Sequence, residues 1–245
     1  MDFFVIISII VIFFFLFFNG KKFFLLCKYV IKDFINNIKN RKNNKHNFSK
    51  FYGINLICGR TGGGKNMTAN YLICELREKY GNDILIATNF NHKKSDFLFT
   101  SLEEIKNTYS KPILFVIDEA NTLFNSRDYT KFDFELLRTL THNRHNRKMV
   151  YCLTQDYDML DITFRRLSLY VYECKTILNR LTIFRKYLTE DYEQLKTEKN
   201  VDKKRKIKPI QKVSFVQTDE LRDMYDTMEM VERLTKYLKK DKEEN

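Results

Sequence analysis

Four of the seven glycines in this 245-residue chain fall within six positions, in the stretch Gly59-Arg60-Thr61-Gly62-Gly63-Gly64-Lys65-Asn66. Such a cluster forces the backbone to curl at one place, and its flanks say what it joins. The apolar run "YGINLICG" (52–59) ends at the glycines and reads as a buried strand. Residues 65–79 carry apolar side chains at helical spacing, with Gly81 as a stop. Strand, glycine-rich turn and helix in that order present backbone N–H groups and a helix N-terminus to one point, which is a cradle for phosphate. The stretch fits the G-x-x-x-x-G-K-[ST] pattern except at its last position, where Asn66 replaces Ser or Thr. Lys65 is expected to reach the β- and γ-phosphates. The amide oxygen of Asn66 is a neutral hard donor that magnesium accepts, at a longer reach than a hydroxyl. Gly59, Arg60, Thr61, Gly62, Gly63, Gly64, Lys65, Asn66 and Met67 are therefore the expected ATP-binding residues, with Mg2+ held through Asn66.

A second stretch completes such a site. "ILFVIDEAN" (113–121) is an apolar run that ends in two carboxylates. Adjacent carboxylates at the end of a buried strand are costly unless they have partners. Asp118 is expected to hold magnesium-bound water and Glu119 to polarise an attacking water. The two motifs together predict nucleotide binding and allow hydrolysis, with Asn66 as the feature that would slow or abolish it.

The rest of the chain alternates in the same way. Strands are expected at 83–90, 148–154, 167–175, 180–188 and 212–217, with 167–175 and 180–188 turning over "TILN" as a hairpin. Helices are expected at 101–109 (with a Ser-x-x-Glu capping box), 132–141 and 218–240, and a basic polar insert at 196–208. Strands alternating with helices imply an α/β fold with a mainly parallel sheet covered on both faces. Cys58, Cys152 and Cys174 lie in strand-like runs. With five cysteines and no C-x-x-C pair, buried reduced thiols are expected rather than disulfides. His142 and His145 lack further ligands nearby, so no zinc site is expected.

The N-terminus is of another kind. Residues 3–18, "FFVIISIIVIFFFLFF", carry no charge. Sixteen helical residues span about 24 Å, close to a hydrocarbon core. Lys21, Lys22, Lys28 and Lys32 follow the run and nothing basic precedes it, so a single-pass transmembrane helix with the remainder cytoplasmic is expected. Residues 23–38 read as an amphipathic helix near the membrane surface, and 39–47 as a basic tether. The domain reading is an anchor at 1–20, a juxtamembrane segment at 21–50, an ATPase domain at 51–217 and an amphipathic C-terminal helix at 218–245. The formal charge of +12 suits a polyanionic partner, although an AT-rich genome yields a similar composition.

Beyond the two motifs, "HNRHNRKMVYCLTQDYDMLDITFRRL" (142–167) resembles the zonula occludens toxin family, which includes the filamentous-phage assembly ATPase. The shared order is a glycine-loop unit, an Asp-Glu strand, an Arg-His pair before a strand, Thr-Gln at that strand's end, and a downstream Arg. Arg144-His145, Thr154-Gln155 and Arg165 or Arg166 stand in those places, and the resemblance runs from about residue 53 to 175. It implies a RecA-like P-loop NTPase, related more widely to the HerA/FtsK group of DNA-pumping ATPases. It also implies that Gln155 senses the γ-phosphate and that Arg144, Arg165 or Arg166 acts on a neighbouring subunit's nucleotide in a homo-oligomeric ring. Single-stranded DNA or phage coat protein is the implied cargo, moved at the membrane during phage extrusion. Two other readings fit these residues: a conjugative or plasmid DNA-translocating ATPase, and a non-hydrolysing, nucleotide-gated membrane scaffold that Asn66 favours.

Overall fold

The computed structural model describes residues 24–25, 27–32, 34–35, 38, 48, 50–124 and 134–225. The chain divides into two units, Met1–Asn47 and Phe48–Asn245. In the first unit the described positions between 24 and 38 are helical (α1), and Phe24, Leu25, Tyr29, Val30, Ile31, Phe34, Ile35 and Ile38 are exposed. The apolar run 3–18 lies outside the described residues. Among the described residues no helix is long and apolar enough to cross a membrane.

The second unit is built on one eight-stranded sheet. Its elements are β1 (Gly53–Cys58), α2 (Lys65–Tyr80), β2 (Leu85–Thr88), β3 (Phe97–Leu98), α3 (Glu103–Lys106), β4 (Ile113–Ile117), α4 (Ala120–Leu123), α5 (Phe134–Thr141), α6 (Asn143–Asn146), β5 (Lys148–Thr154), α7 (Ile162–Leu167), β6 (Ser168–Ile177), β7 (Leu181–Leu188), α8 (Thr189–Thr197), α9 (Val201–Lys206), β8 (Gln211–Val216) and α10 (Asp219–Arg222). The strand order is β3-β2-β4-β5-β1-β6-β7-β8. The first six positions in that order pair in parallel, and β7 and β8 add antiparallel. The expected mainly parallel α/β sheet is thus present.

Every residue of β1 and β4 is buried. That follows from helices covering both faces, because a parallel strand with two covered faces has no side to leave polar. One core holds Ile57, Ile73 and Leu72 of α2, Ile86, Leu114 and Leu153. The other holds Leu56, Phe115, Cys152, Leu136 and Leu140 of α5, and Phe164 of α7. Cys58, Cys152 and Cys174 are buried, free thiols, as their strand positions suggest.

Register is what brings the site together. Cys58 pairs with Thr154, and Ile117 with Cys152. The C-terminal ends of β1, β4 and β5 therefore share one edge, and the glycine loop, Asp118-Glu119 and Gln155 emerge side by side.

Local differences from the sequence reading have physical causes. The helix expected at 101–109 is only Glu103–Lys106, although its capping box forms: Glu104 Oε1 accepts from the backbone N–H of Ser101 at 3.3 Å, and Ser101 Oγ from that of Glu103 at 3.2 Å. Part of the basic insert at 196–208 is helical, as α9, capped by the Asn200 side chain. The short strand β3 and helix α8 were not expected. Within the described residues, the stretch 218–225 of the helix expected at 218–240 is helical for one turn, ending at Arg222. The chain then turns, and Tyr225 forms a β-bridge with His92, because tertiary contacts of 223–225 outcompete continued helix. Residues 226–245 lie outside the described residues. The hairpin over "TILN" is a tight turn from Ile177 to Arg180, with Arg180 N–H donating to Ile177 O at 3.3 Å and both Leu178 and Asn179 left-handed (φ 52° and 54°).

Candidate functional site

The loop takes the shape its glycines allow. Gly62 and Gly64 have φ of 73° and 88°. Gly64 caps the N-terminus of α2, and a Cβ there would lie 2.3 Å from Thr176 Oγ1. Lys65 and Asn66 open the helix directly after it, so the helix dipole and the lysine charge favour the same anion. A cleft of about 600 Å³ lies over this point, a size usual for small-ligand sites. It is lined by Thr61, Gly62, Gly64, Lys65, Asn66, Met67, Glu119, Gln155, Thr176, Asn179, Gln217 and Arg222. Arg60 and Gly59 face a second cleft on the other side of the loop, with Asp156 and Lys196.

The two sequence motifs touch through Asn66. Its Nδ2 donates to Asp118 Oδ2 at 3.1 Å. The carboxylate acceptor dictates which end of the amide faces it, and so leaves Oδ1 of the same planar group for a cation. Asp118 is buried and held from several sides. Its backbone N–H donates to Asn89 Oδ1 at 2.8 Å, its backbone oxygen accepts from Asn89 Nδ2 at 3.1 Å, and its Oδ1 accepts from the Glu119 N–H at 2.9 Å. Burial raises the Asp118 pKa. Donation from Tyr225 and from the Glu119 N–H, and the charge of Lys65, offset this only in part, while the Glu119 charge adds to it, and the pKa stays raised. A neutral amide oxygen beside a buried carboxylate, under a lysine and a helix N-terminus, is a donor set that fits Mg2+.

Glu119 stands in a left-handed conformation (φ 51°, ψ 46°) at the N-terminus of α4. A non-glycine residue there carries roughly 1 kcal/mol or more of strain, of the kind concentrated at functional sites. The turn aims its carboxylate back over the loop. Gln155 lies between the two motifs: its Nε2 is 3.5 Å from Glu119 Oε1, and its Oε1 is 3.5 Å from Thr61 Oγ1. The sheet order causes this, because β5 lies between β1 and β4.

The arginines are elsewhere in the same chain. Arg144 lies on α6, before the first residue of β5, about 23 Å of strand from the Gln155 end. Arg165 and Arg166 precede Ser168, which pairs with Ile54 near the start of β1. Arg165 is further held by Asp158 at 2.8 Å and lies over the Tyr157 ring at 4.8 Å, whereas Arg166 is exposed. The structure brings Lys65, Asn66, Met67, Asp118, Glu119 and Gln155 together, whereas the cleft over the loop is lined by none of these three arginines among the described residues.

Sequence reasoning missed Asn89, Gln217, Arg222 and Tyr225. Tyr225 OH donates to Asp118 Oδ2 at 2.9 Å in a buried bond. Arg222 donates from Nε to Gln217 Oε1 at 3.0 Å and also bonds the Asn179 backbone oxygen. Asn89 follows β2, Gln217 ends the expected strand 212–217, and Arg222 and Tyr225 fall in a stretch whose spacing suggested only an amphipathic helix, so no local signal marked them.

A family model described as Zonular occludens toxin (Zot) matches residues 73–221. No curated protein matches the chain in sequence. Among solved structures the chain is similar to the N-terminal domain of zonular occludens toxin from Neisseria meningitidis. That match is at 16% identity over 71% of this chain and 99% of that one, with a TM-score of 0.47. It is also similar to the genome packaging NTPase B204 from Sulfolobus turreted icosahedral virus 2 in complex with ATP-gammaS, at 17% identity over 59% of this chain and 95% of that one, with a TM-score of 0.42.

Proposed function

The chain belongs to the zonular occludens toxin (Zot) family, and on that premise we propose that it is a membrane-anchored P-loop ATPase that drives assembly and extrusion of a filamentous, single-stranded DNA phage. The observation that carries the ATPase part is the contact of Asn66 with Asp118 beside Lys65, with Glu119 and Gln155 converging on the same loop. Lys65 and the N–H groups of the glycine loop bind the phosphates and neutralise their charge. Asn66 and Asp118 would hold the cation, and magnesium bound there would supply charge neutralisation for the phosphates. Glu119, aimed by its left-handed turn, orients the attacking water and takes its proton. Gln155 links Glu119 to Thr61, so that the loop and the base are positioned together.

Membrane anchorage is supported by the uncharged run 3–18 and the lysines that follow it. That asymmetry supports a cytoplasmic ATPase domain. Arg144, Arg165 and Arg166 are not among the residues that line the cleft over the loop, which is compatible with the family premise that such an arginine acts on the nucleotide of a neighbouring subunit in a ring. The cargo, DNA or coat protein, follows from the family premise and from the net charge of +12.

The test is nucleotide affinity and phosphate release by the wild type and by Lys65→Ala. Binding and release are expected for the wild type, and loss of both for the variant. Binding with release at background level would favour the nucleotide-gated scaffold that Asn66 also suits. Unchanged binding in Lys65→Ala would remove the phosphate-loop assignment.

A further inference from the structure

Tyr225 reaches the site from 107 positions beyond Asp118. Its ring is seated independently of its hydroxyl, edge-on against Phe90 with centroids 4.7 Å apart, and its backbone bridges to His92. The segment that delivers it is tied down along its length. Gln217 Nε2 donates to Thr182 Oγ1 at 2.7 Å, Arg222 grips Gln217, Asn70 Nδ2 donates to the Leu221 oxygen at 3.2 Å, and Lys93 N–H donates to the Met224 oxygen at 3.2 Å. The hydroxyl thus arrives at Asp118 on a fixed strap that crosses the N-terminal part of α2.

A carboxylate offers about four acceptor positions. On Asp118, Oδ2 takes two donors, Asn66 Nδ2 and Tyr225 OH, and Oδ1 takes the Glu119 N–H. One position remains, and it is on Oδ1. We propose that Tyr225 is a positioning residue for the magnesium end of the site: with Asn66 it fills Oδ2 of Asp118 and so fixes Oδ1 as the oxygen offered to the metal. The proposal rests on the nucleotide-binding reading above. Tyr225 touches neither nucleotide nor metal and acts through Asp118. The strap also makes this end of the site depend on residues 217–225, which come after the whole sheet in sequence.

Tyr225→Phe removes the hydroxyl and keeps the ring on Phe90. The experiment is equilibrium binding of a fluorescent ATP analogue to the full chain, titrated with magnesium and repeated in chelator, for wild type, Tyr225→Phe and Lys65→Ala. Tyr225→Phe is expected to need about tenfold more magnesium for half-maximal effect, as for loss of a group that orients a metal ligand. Its binding in chelator is expected to match the wild type, which a merely structural role would not predict. An unchanged magnesium requirement, or an equal loss with and without magnesium, overturns the proposal while Lys65→Ala still loses binding. If Lys65→Ala binds like the wild type, the phosphate-loop reading falls, and the role of Tyr225 with it.

Discussion

Replacing Asn66 with Asp gives the sharpest probe of how the two motifs meet. The side chains are nearly isosteric, so the change swaps one hydrogen bond for one charge repulsion. In the wild type Asn66 Nδ2 donates to Asp118 Oδ2 at 3.1 Å. Two carboxylates at that separation repel by about 5 kcal/mol at an effective dielectric constant of about 20. The pair escapes part of this by binding a proton. Taking a proton at about pH 7 onto a group of ordinary pKa near 4 costs about 4 kcal/mol, which caps the penalty. The variant should therefore be destabilised by about 2–4 kcal/mol in chelator near pH 7. The deficit follows the raised pKa of the pair. It is largest above that pKa and shrinks as pH falls and the shared proton becomes cheap. Magnesium should also reduce it, since a divalent cation neutralises both charges. The assay is chemical denaturation of wild type and variant at about pH 7 and about pH 5, with chelator and with magnesium. A variant as stable as the wild type near pH 7 in chelator would refute the Asn66–Asp118 contact. A deficit that grows on acidification would refute the charge argument.

Glu119→Gln should leave ATP affinity nearly intact and lower turnover by about two to four orders of magnitude, because the amide keeps the shape but cannot take a proton; single-turnover phosphate release measures it. His92 is buried, with Nδ1 accepting from the Lys94 N–H at 3.1 Å, and burial, then the charges of Lys94 and Arg77, lower its pKa from 6.5 to about 4. The folded state resists its protonation, so its contribution is complete above pH 6.5 and is lost as pH falls toward 4. The loss amounts to about 3 kcal/mol, and His92→Gln should flatten that part of a stability–pH curve. Leu178 is 89% exposed and left-handed at φ 52°. Leu178→Gly should relieve the turn without loss of packing and raise stability by about 0.5–1 kcal/mol in denaturant melts.

The glycine loop, the Asp-Glu strand end and the alternation of strands with helices were legible because each is written in contiguous residues. A phosphate cradle needs glycines next to each other, and a strand with both faces covered must be largely apolar, as β4 is throughout and β1 is apart from Asn55. The family resemblance, read from the order of short motifs, was legible for the same reason. Tertiary structure alone decided three things. It set β5 between β1 and β4, which puts Gln155 between Thr61 and Glu119. It turned the Asn66 amide so that its nitrogen meets Asp118 and its oxygen is left for a cation. Within the described residues it interrupted the expected C-terminal helix after Arg222 and brought Tyr225 to Asp118. Local spacing in 218–225 favours a helix. What overrides it is a buried carboxylate in need of donors, the face of Phe90 and the bridge to His92. All of these are distant in sequence and become neighbours only once the sheet has formed.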